Sequence, residues 1–157
     1  MSISLSKTSH QATLSQTASG GAVGGDPVEA LRQRVAQRVY EAYCDSALRF
    51  ELIRYGVNDL ALDSSTAGHV TDMELDSLGC ANETKLLEEL DGLLRRFTDN
   101  DKKLDQKECA DAIQIVCRPK SGYSKGLVFD TAERRVVEFC RANRVKVKVG
   151  FLRWEIP

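Results

Sequence analysis

Leu90-Asp91-Gly92-Leu93-Leu94-Arg95-Arg96-Phe97-Thr98-Asp99-Asn100-Asp101-Lys102-Lys103-Leu104-Asp105-Gln106-Lys107-Glu108 is the stretch whose reading decides the fold. Leu90, Leu93, Leu94 and Phe97 recur at the spacing of one apolar helix face. The acids Asp99, Asp101, Asp105 and Glu108 follow at once, around a single apolar residue, Leu104. Cys109, Ala112, Ile113, Val116 and Cys117 then form a second apolar face, and Pro119 stops it. The sequence therefore predicts two helices joined by a short acidic loop. Such a loop suits a hard cation, which takes several oxygen ligands from a flexible backbone.

The segment before it carries a similar layout. Asp63-Ser64-Ser65-Thr66-Ala67-Gly68-His69-Val70-Thr71-Asp72-Met73-Glu74 has Asp first, Ser third, Gly sixth, an apolar residue eighth, Thr ninth and Glu twelfth. Leu75 and Leu78 follow as a short helix that Gly79 ends. On these residues the chain, over about 47–117, resembles the EF-hand superfamily as a degenerate pair of hands. The resemblance implies calcium as the candidate ion. Its tentative ligands are Asp63, Ser65, Thr71 and Glu74 with the His69 carbonyl in the first loop, and Asp99, Asp101, Asp105 and Glu108 in the second. It also implies that Val70 and Leu104 pair across a short sheet between the loops. Ala67 stands at the fifth position without a side-chain oxygen, and Lys102 stands where the backbone wants φ > 0. Binding is therefore expected to be weak or lost. The competing reading makes the Asp-rich loops helix caps and solvated turns, positions that Asp and Asn favour in any case.

The whole chain bounds the rest. Its 157 residues suffice for a domain with a real core, and 42% hydrophobic with 29% charged residues is ordinary for a globular chain. A formal net charge of −1 offers no global attraction to nucleic acid. No apolar run is long enough to span a bilayer. The five cysteines are scattered without a Cys-x-x-Cys pair and are expected as reduced thiols, which favours a cytoplasmic location. Residues 1–25 are rich in Ser, Thr, Gln, Ala and Gly and have no acid, so they are expected as a disordered tail. Their composition also resembles the secretion leader of bacterial type III effectors, which would place the protein in a host cell.

Residues 26–119 are expected as the helical, EF-hand-like domain. Pro27 opens an amphipathic helix through Val28, Leu31, Val35 and Val39, which either runs on to Tyr55 or breaks near Cys44-Asp45-Ser46. Asn82 caps the helix that ends near Phe97. Residues 120–157 are expected as a strand–helix–strand extension packing on that domain: a strand at 126–129, a helix capped by Asp130 or Thr131, and an alternating strand from Val145 to Phe151. The fold class is thus mainly α. No nucleophile–base pair and no Gly-rich phosphate loop occurs in a suitable context, so the chain is read as no enzyme. Two functions follow as expectations. One is a protein-binding adaptor or calcium-sensor-like module that takes a partner helix or peptide in an apolar groove. The other is a secreted effector or interaction protein.

Overall fold

A computed structural model describes residues 25–147. The tail reading of residues 1–25, except for Gly25, and the strand reading beyond Val147 lie outside the described residues. The described chain is mainly helical, in the order α1 (Pro27–Arg38), β1 (Tyr43–Cys44), α2 (Ser46–Asn58), α3 (Ser64–Ser77), β2 (Ala81–Asn82), α4 (Glu83–Thr98), β3 (Lys103–Leu104), α5 (Gln106–Cys117), α6 (Phe129–Asn143) and β4 (Lys146–Val147).

Capping side chains explain most helix starts. The carboxylates of Asp26, Asp45, Asp63 and Asp105 accept from backbone N–H groups two or three residues on, at 3.0, 2.7, 2.9 and 2.9 Å. Asn82 does the same for Lys85 at 3.4 Å. Each satisfies a donor that the first turn leaves without a partner. The first helix therefore does not run on to Tyr55: it ends at Arg38, and a new helix starts on the Asp45 cap.

The residues 63–74 are a correction. They are not a loop but the first three turns of α3, and Asp63 is its cap. Ala67, Val70, Thr71 and Leu75 bury one face at helical spacing, which outweighs the single Gly68. The pairing of Val70 with Leu104 is overturned with it. Val70 is packed inside the helical core, and Leu104 pairs in parallel with Val147. The segment 126–129 is a second correction. Leu127 donates its N–H to the Val116 carbonyl at 2.8 Å and is buried, and α6 begins two residues later with no neighbouring strand. Val128, not Asp130 or Thr131, is the N-cap of α6, and it supplies no side-chain hydrogen bond.

The two halves of the fold repeat each other, which the sequence conceals. The order α1–β1–α2–α3–β2 recurs as α4–β3–α5–α6–β4. β1 pairs with β2 in parallel and β3 with β4 in parallel. The helix preceding each strand ends in a loop with a left-handed residue: Ala42, Gly79, Lys102 and Arg144 have φ of 55°, 61°, 52° and 54°. Three residues past each of the first three stands the next cap: Asp45, Asn82, Asp105. The bonds match as well. The Ala81 N–H donates to the Ala42 carbonyl and the Lys146 N–H to the Lys102 carbonyl, both at 2.9 Å. The Cys80 N–H donates to the Leu75 carbonyl and the Val145 N–H to the Cys140 carbonyl, again both at 2.9 Å. Each half has its own core, one around Leu31, Val35, Leu52 and Leu75, the other around Leu90, Leu94, Val116 and Val136. α6 and β4 complete the second core together with α4 and α5.

Candidate functional site

The structure separates the residues that the sequence set together as ion ligands. Asp63, Ser65, His69, Thr71 and Glu74 are strung along α3. Thr71 is fully buried, and its hydroxyl donates to the Ala67 carbonyl at 2.8 Å. His69 is exposed on the opposite side. A twelve-residue loop wraps its ligands around a point, whereas a helix spreads them along its length and around its circumference.

The second set does occupy a loop, but its acids serve the backbone. Asp105 and Glu108 form a reciprocal capping box: Asp105 Oδ1 accepts from the Glu108 N–H and Glu108 Oε2 accepts from the Asp105 N–H, both at 2.9 Å. Asp101 Oδ1 accepts from the Lys103 N–H at 3.0 Å. Asp99 is the exposed C-cap of α4. Lys102 takes the positive φ that the sequence reading assigned to its position. Among the described residues no group of three His, Cys, Asp or Glu side chains converges to hold a metal ion.

A concavity lies elsewhere, between α5 and α6. It is a cleft of about 900 Å³ whose apolar floor includes Ile113 and Cys117 and whose lip is Phe129. Its origin is legible by comparing the halves. In the first half α2 meets α3 at Gly56: a Cβ built there would lie 2.9 Å from Ala67 Cβ, so the two backbones pack without a side chain between them. In the second half the position sixty residues on, at the same place relative to its helix cap, is Val116, and Ala132 takes the place of Ala67. Val116 is buried in the second core, so the glycine that lets α2 touch α3 has no counterpart on α5. The connection is also longer, 118–128 against 59–63.

Charge surrounds this floor. Asp111, Asp130 and Glu133 stand on the cleft wall, with Arg118 as the one cation among its described lining residues. None of the four forms an ion pair with another described residue. Phe129 is 55% exposed and Val128 48%, at a helix start whose cap offers no side-chain acceptor. Two adjacent exposed apolar residues beside a groove form a candidate contact surface. Ile113 and Cys117 were legible as an apolar helix face, but Phe129 was hidden by the strand reading of its segment.

Their surroundings disfavour the thiolate form of the cysteines. Burial pushes Cys44 and Cys109 up to about 12, and raises Cys117 and Cys140 as well. Cys117 alone is not buried, and it opens into the cleft. The buried polar network lies in the first half. Arg49 holds Asp72 bidentately at 2.8 and 2.9 Å, and the Asn82 amide donates to the same carboxylate at 2.9 Å. Burial acts to raise the Asp72 carboxyl, but the Arg49 hydrogen bonds and charge outweigh it and hold the group below its ordinary value. This network ties α2, α3 and α4 together and is structural. No described helix is long and apolar enough to cross a membrane. Comparisons with protein-family models, with curated proteins and with solved structures give no match.

Proposed function

We propose that the protein is a non-catalytic interaction module that seats an apolar, basic-flanked segment of a protein partner in the cleft between α5 and α6. The cleft, with Ile113 and Cys117 on its floor and Phe129 at its lip, is the observation that supports this reading. A peptide of a few aromatic or aliphatic anchors fills a groove of that volume, and burial of the anchors drives binding at roughly 25 cal/mol per Å² before ordering costs. Asp111, Asp130 and Glu133 select flanking Lys or Arg over acids, because charge complementarity acts chiefly on specificity and association rate. This groove lies between α5 and α6 rather than between the two segments read as paired loops, and the proposed binding needs no calcium.

The test is a selection from a random peptide library on the full chain. Enriched peptides are expected to combine an aromatic anchor with Lys or Arg. Their affinity should fall at least tenfold in Phe129→Asp and weaken with rising salt. Acidic or featureless enrichment, or binding indifferent to Phe129→Asp in a variant with unchanged circular dichroism, would reject the reading.

A further inference from the structure

We infer that a second, smaller pocket, between the 118–128 connection and the start of α4, binds the phosphate group of a phosphate monoester. It borders the α5/α6 cleft through Arg118, which lines both, but it does not rest on the role proposed for that cleft. Three observations carry it.

The first is the charge of the walls. The connection contributes Arg118, Lys120 and Lys125, and α4 contributes Lys85. Asp76, on α3, is the one acid among the described lining residues. The chain as a whole has a formal net charge of −1, so four cations around one small space are a local concentration. A concavity lined by one sign of charge focuses its field on the space inside.

The second is that these cations are available. Lys85 pairs with Asp76, Lys120 with Glu89 and Lys125 with Glu41. Glu89 and Glu41 are not among the lining residues, so they hold their lysines from outside the pocket. The three lysine side chains are 42%, 53% and 43% exposed, and pairs so exposed contribute little. An entering dianion takes over their ammonium groups at small cost. Arg118 has no ion pair with another described residue, and its planar fork matches the oxygens of a phosphate.

The third is a preformed shape of the right size. The space is about 60 Å³. One water needs about 10–15 Å³, so the pocket takes an oxyanion of four oxygens and no extended ligand. Its outer wall is pinned to the first half of the fold. A Cβ built at Gly79, whose φ is 61°, would lie 2.5 Å from the Gly122 carbonyl oxygen, so the two backbones touch. The Tyr123 hydroxyl donates to Asp76 Oδ1 at 3.1 Å, and the Tyr123 N–H donates to the Lys120 carbonyl at 2.9 Å. The backbone that carries three of the four cations is thus fixed before a ligand arrives, which lowers the ordering cost of binding.

A phosphorylated protein side chain and a free phosphate compound present the same dianion, and the test separates them. Inorganic phosphate and phosphoserine are titrated into the full chain at constant ionic strength, with chloride as the balancing anion, and backbone amide shifts are followed by NMR. Saturable shifts are expected, centred on residues 81–86 and 118–125. Arg118→Gln combined with Lys120→Gln should weaken binding at least tenfold while circular dichroism stays constant. Glu89→Gln, which releases Lys120, should tighten it several-fold. Shifts that never saturate, that chloride alone reproduces, or that centre elsewhere overturn the inference. So does binding that the double variant leaves unchanged, or that Glu89→Gln fails to tighten. A short phosphoserine peptide that binds at least tenfold more tightly than phosphoserine marks a protein as the source of the phosphate. Equal affinities mark a free phosphate compound, and the site stands in either case.

Discussion

At the scale of the residue, several acids in this chain hold the backbone. Asp26, Asp45, Asp63 and Asp105 begin helices, and Glu108 returns the bond in the capping box. This explains why an acid-rich sequence suggested cation ligands: a cap and an oxygen ligand use the same side chain. The two roles separate on substitution. Glu108→Gln keeps a capping-box acceptor and should change stability by a few tenths of a kcal/mol, whereas Glu108→Ala should cost about 0.5–1 kcal/mol. Calorimetry with millimolar calcium is expected to show little heat in any of these chains, and a calcium transition abolished by Glu108→Gln would reject capping as the residue's main role. Asp72 makes the clearest pH prediction. Its carboxyl is held below the ordinary Asp value of about 3.9, so its ion pair with Arg49 stabilises the fold fully above that pH and loses the contribution as pH falls through the depressed folded value. Both side chains are less than one-quarter exposed, at 23% for Arg49 and 20% for Asp72. Asp72→Asn should therefore destabilise by about 1–3 kcal/mol at pH 7 in urea melts. The difference between the two chains should narrow below about pH 4; a constant difference down to pH 2 would show that packing, not charge, is lost.

At the scale of the element, one glycine decides how two helices meet. Gly56 lets α2 rest on α3 at Ala67, and the Leu31 Cδ2 atom lies 3.1 Å from where a Cβ would stand. Gly56→Ala gains helix propensity but must push both neighbours, for a net loss of about 1–3 kcal/mol. Ala67→Gly in the same chain removes the closest neighbour and should recover part of that loss, a positive coupling in a double-mutant cycle. Strict additivity would mean that the contact at this crossing is not what Gly56 is for. The uncapped start of α6 offers the opposite sign. Val128→Ser supplies the missing acceptor and should stabilise by about 1 kcal/mol, read as a higher midpoint in denaturant.

At the scale of the molecule, two like halves are joined through α4. Its first residue, Glu83, accepts from Tyr43 at 2.8 Å and from the Ser46 hydroxyl at 2.9 Å, both in the first half. Its body is packed in the second core through Leu90 and Leu94. Arg135 of α6 grips Asp91 of α4 with two hydrogen bonds, at 2.9 and 2.6 Å. A helix shared in this way couples the two cores, so the chain is expected to unfold in one transition. Leu31→Ala in the first core and Leu90→Ala in the second should each lower that single transition, by about 2–5 kcal/mol. Calorimetry resolving two peaks, with each variant moving only one, would show the halves to be independent.

The sequence by itself determined the helices and most of their ends. Apolar residues at three- and four-residue spacing placed α4 and α5, and Asn82, Gly79 and Pro119 marked boundaries that the structure keeps. These are local effects, settled within a turn or two of chain. It misplaced 63–74 because Asp, Ser and Gly at loop-like intervals weighed more than the helical spacing of Ala67, Val70, Thr71 and Leu75. Only the tertiary structure decided the repeat and the cleft. Of the four equivalent left-handed positions one is glycine and the others are Ala42, Lys102 and Arg144, so the turns leave no common mark in the residues. Their positive φ costs energy that the paired strands and packed helices offset. The cleft depends on which residue of α5 faces which residue of α6, and that pairing is set by the long connection between them. Val116 in place of glycine is read locally only as one more apolar position of a helix face; its place in the second core is a tertiary matter.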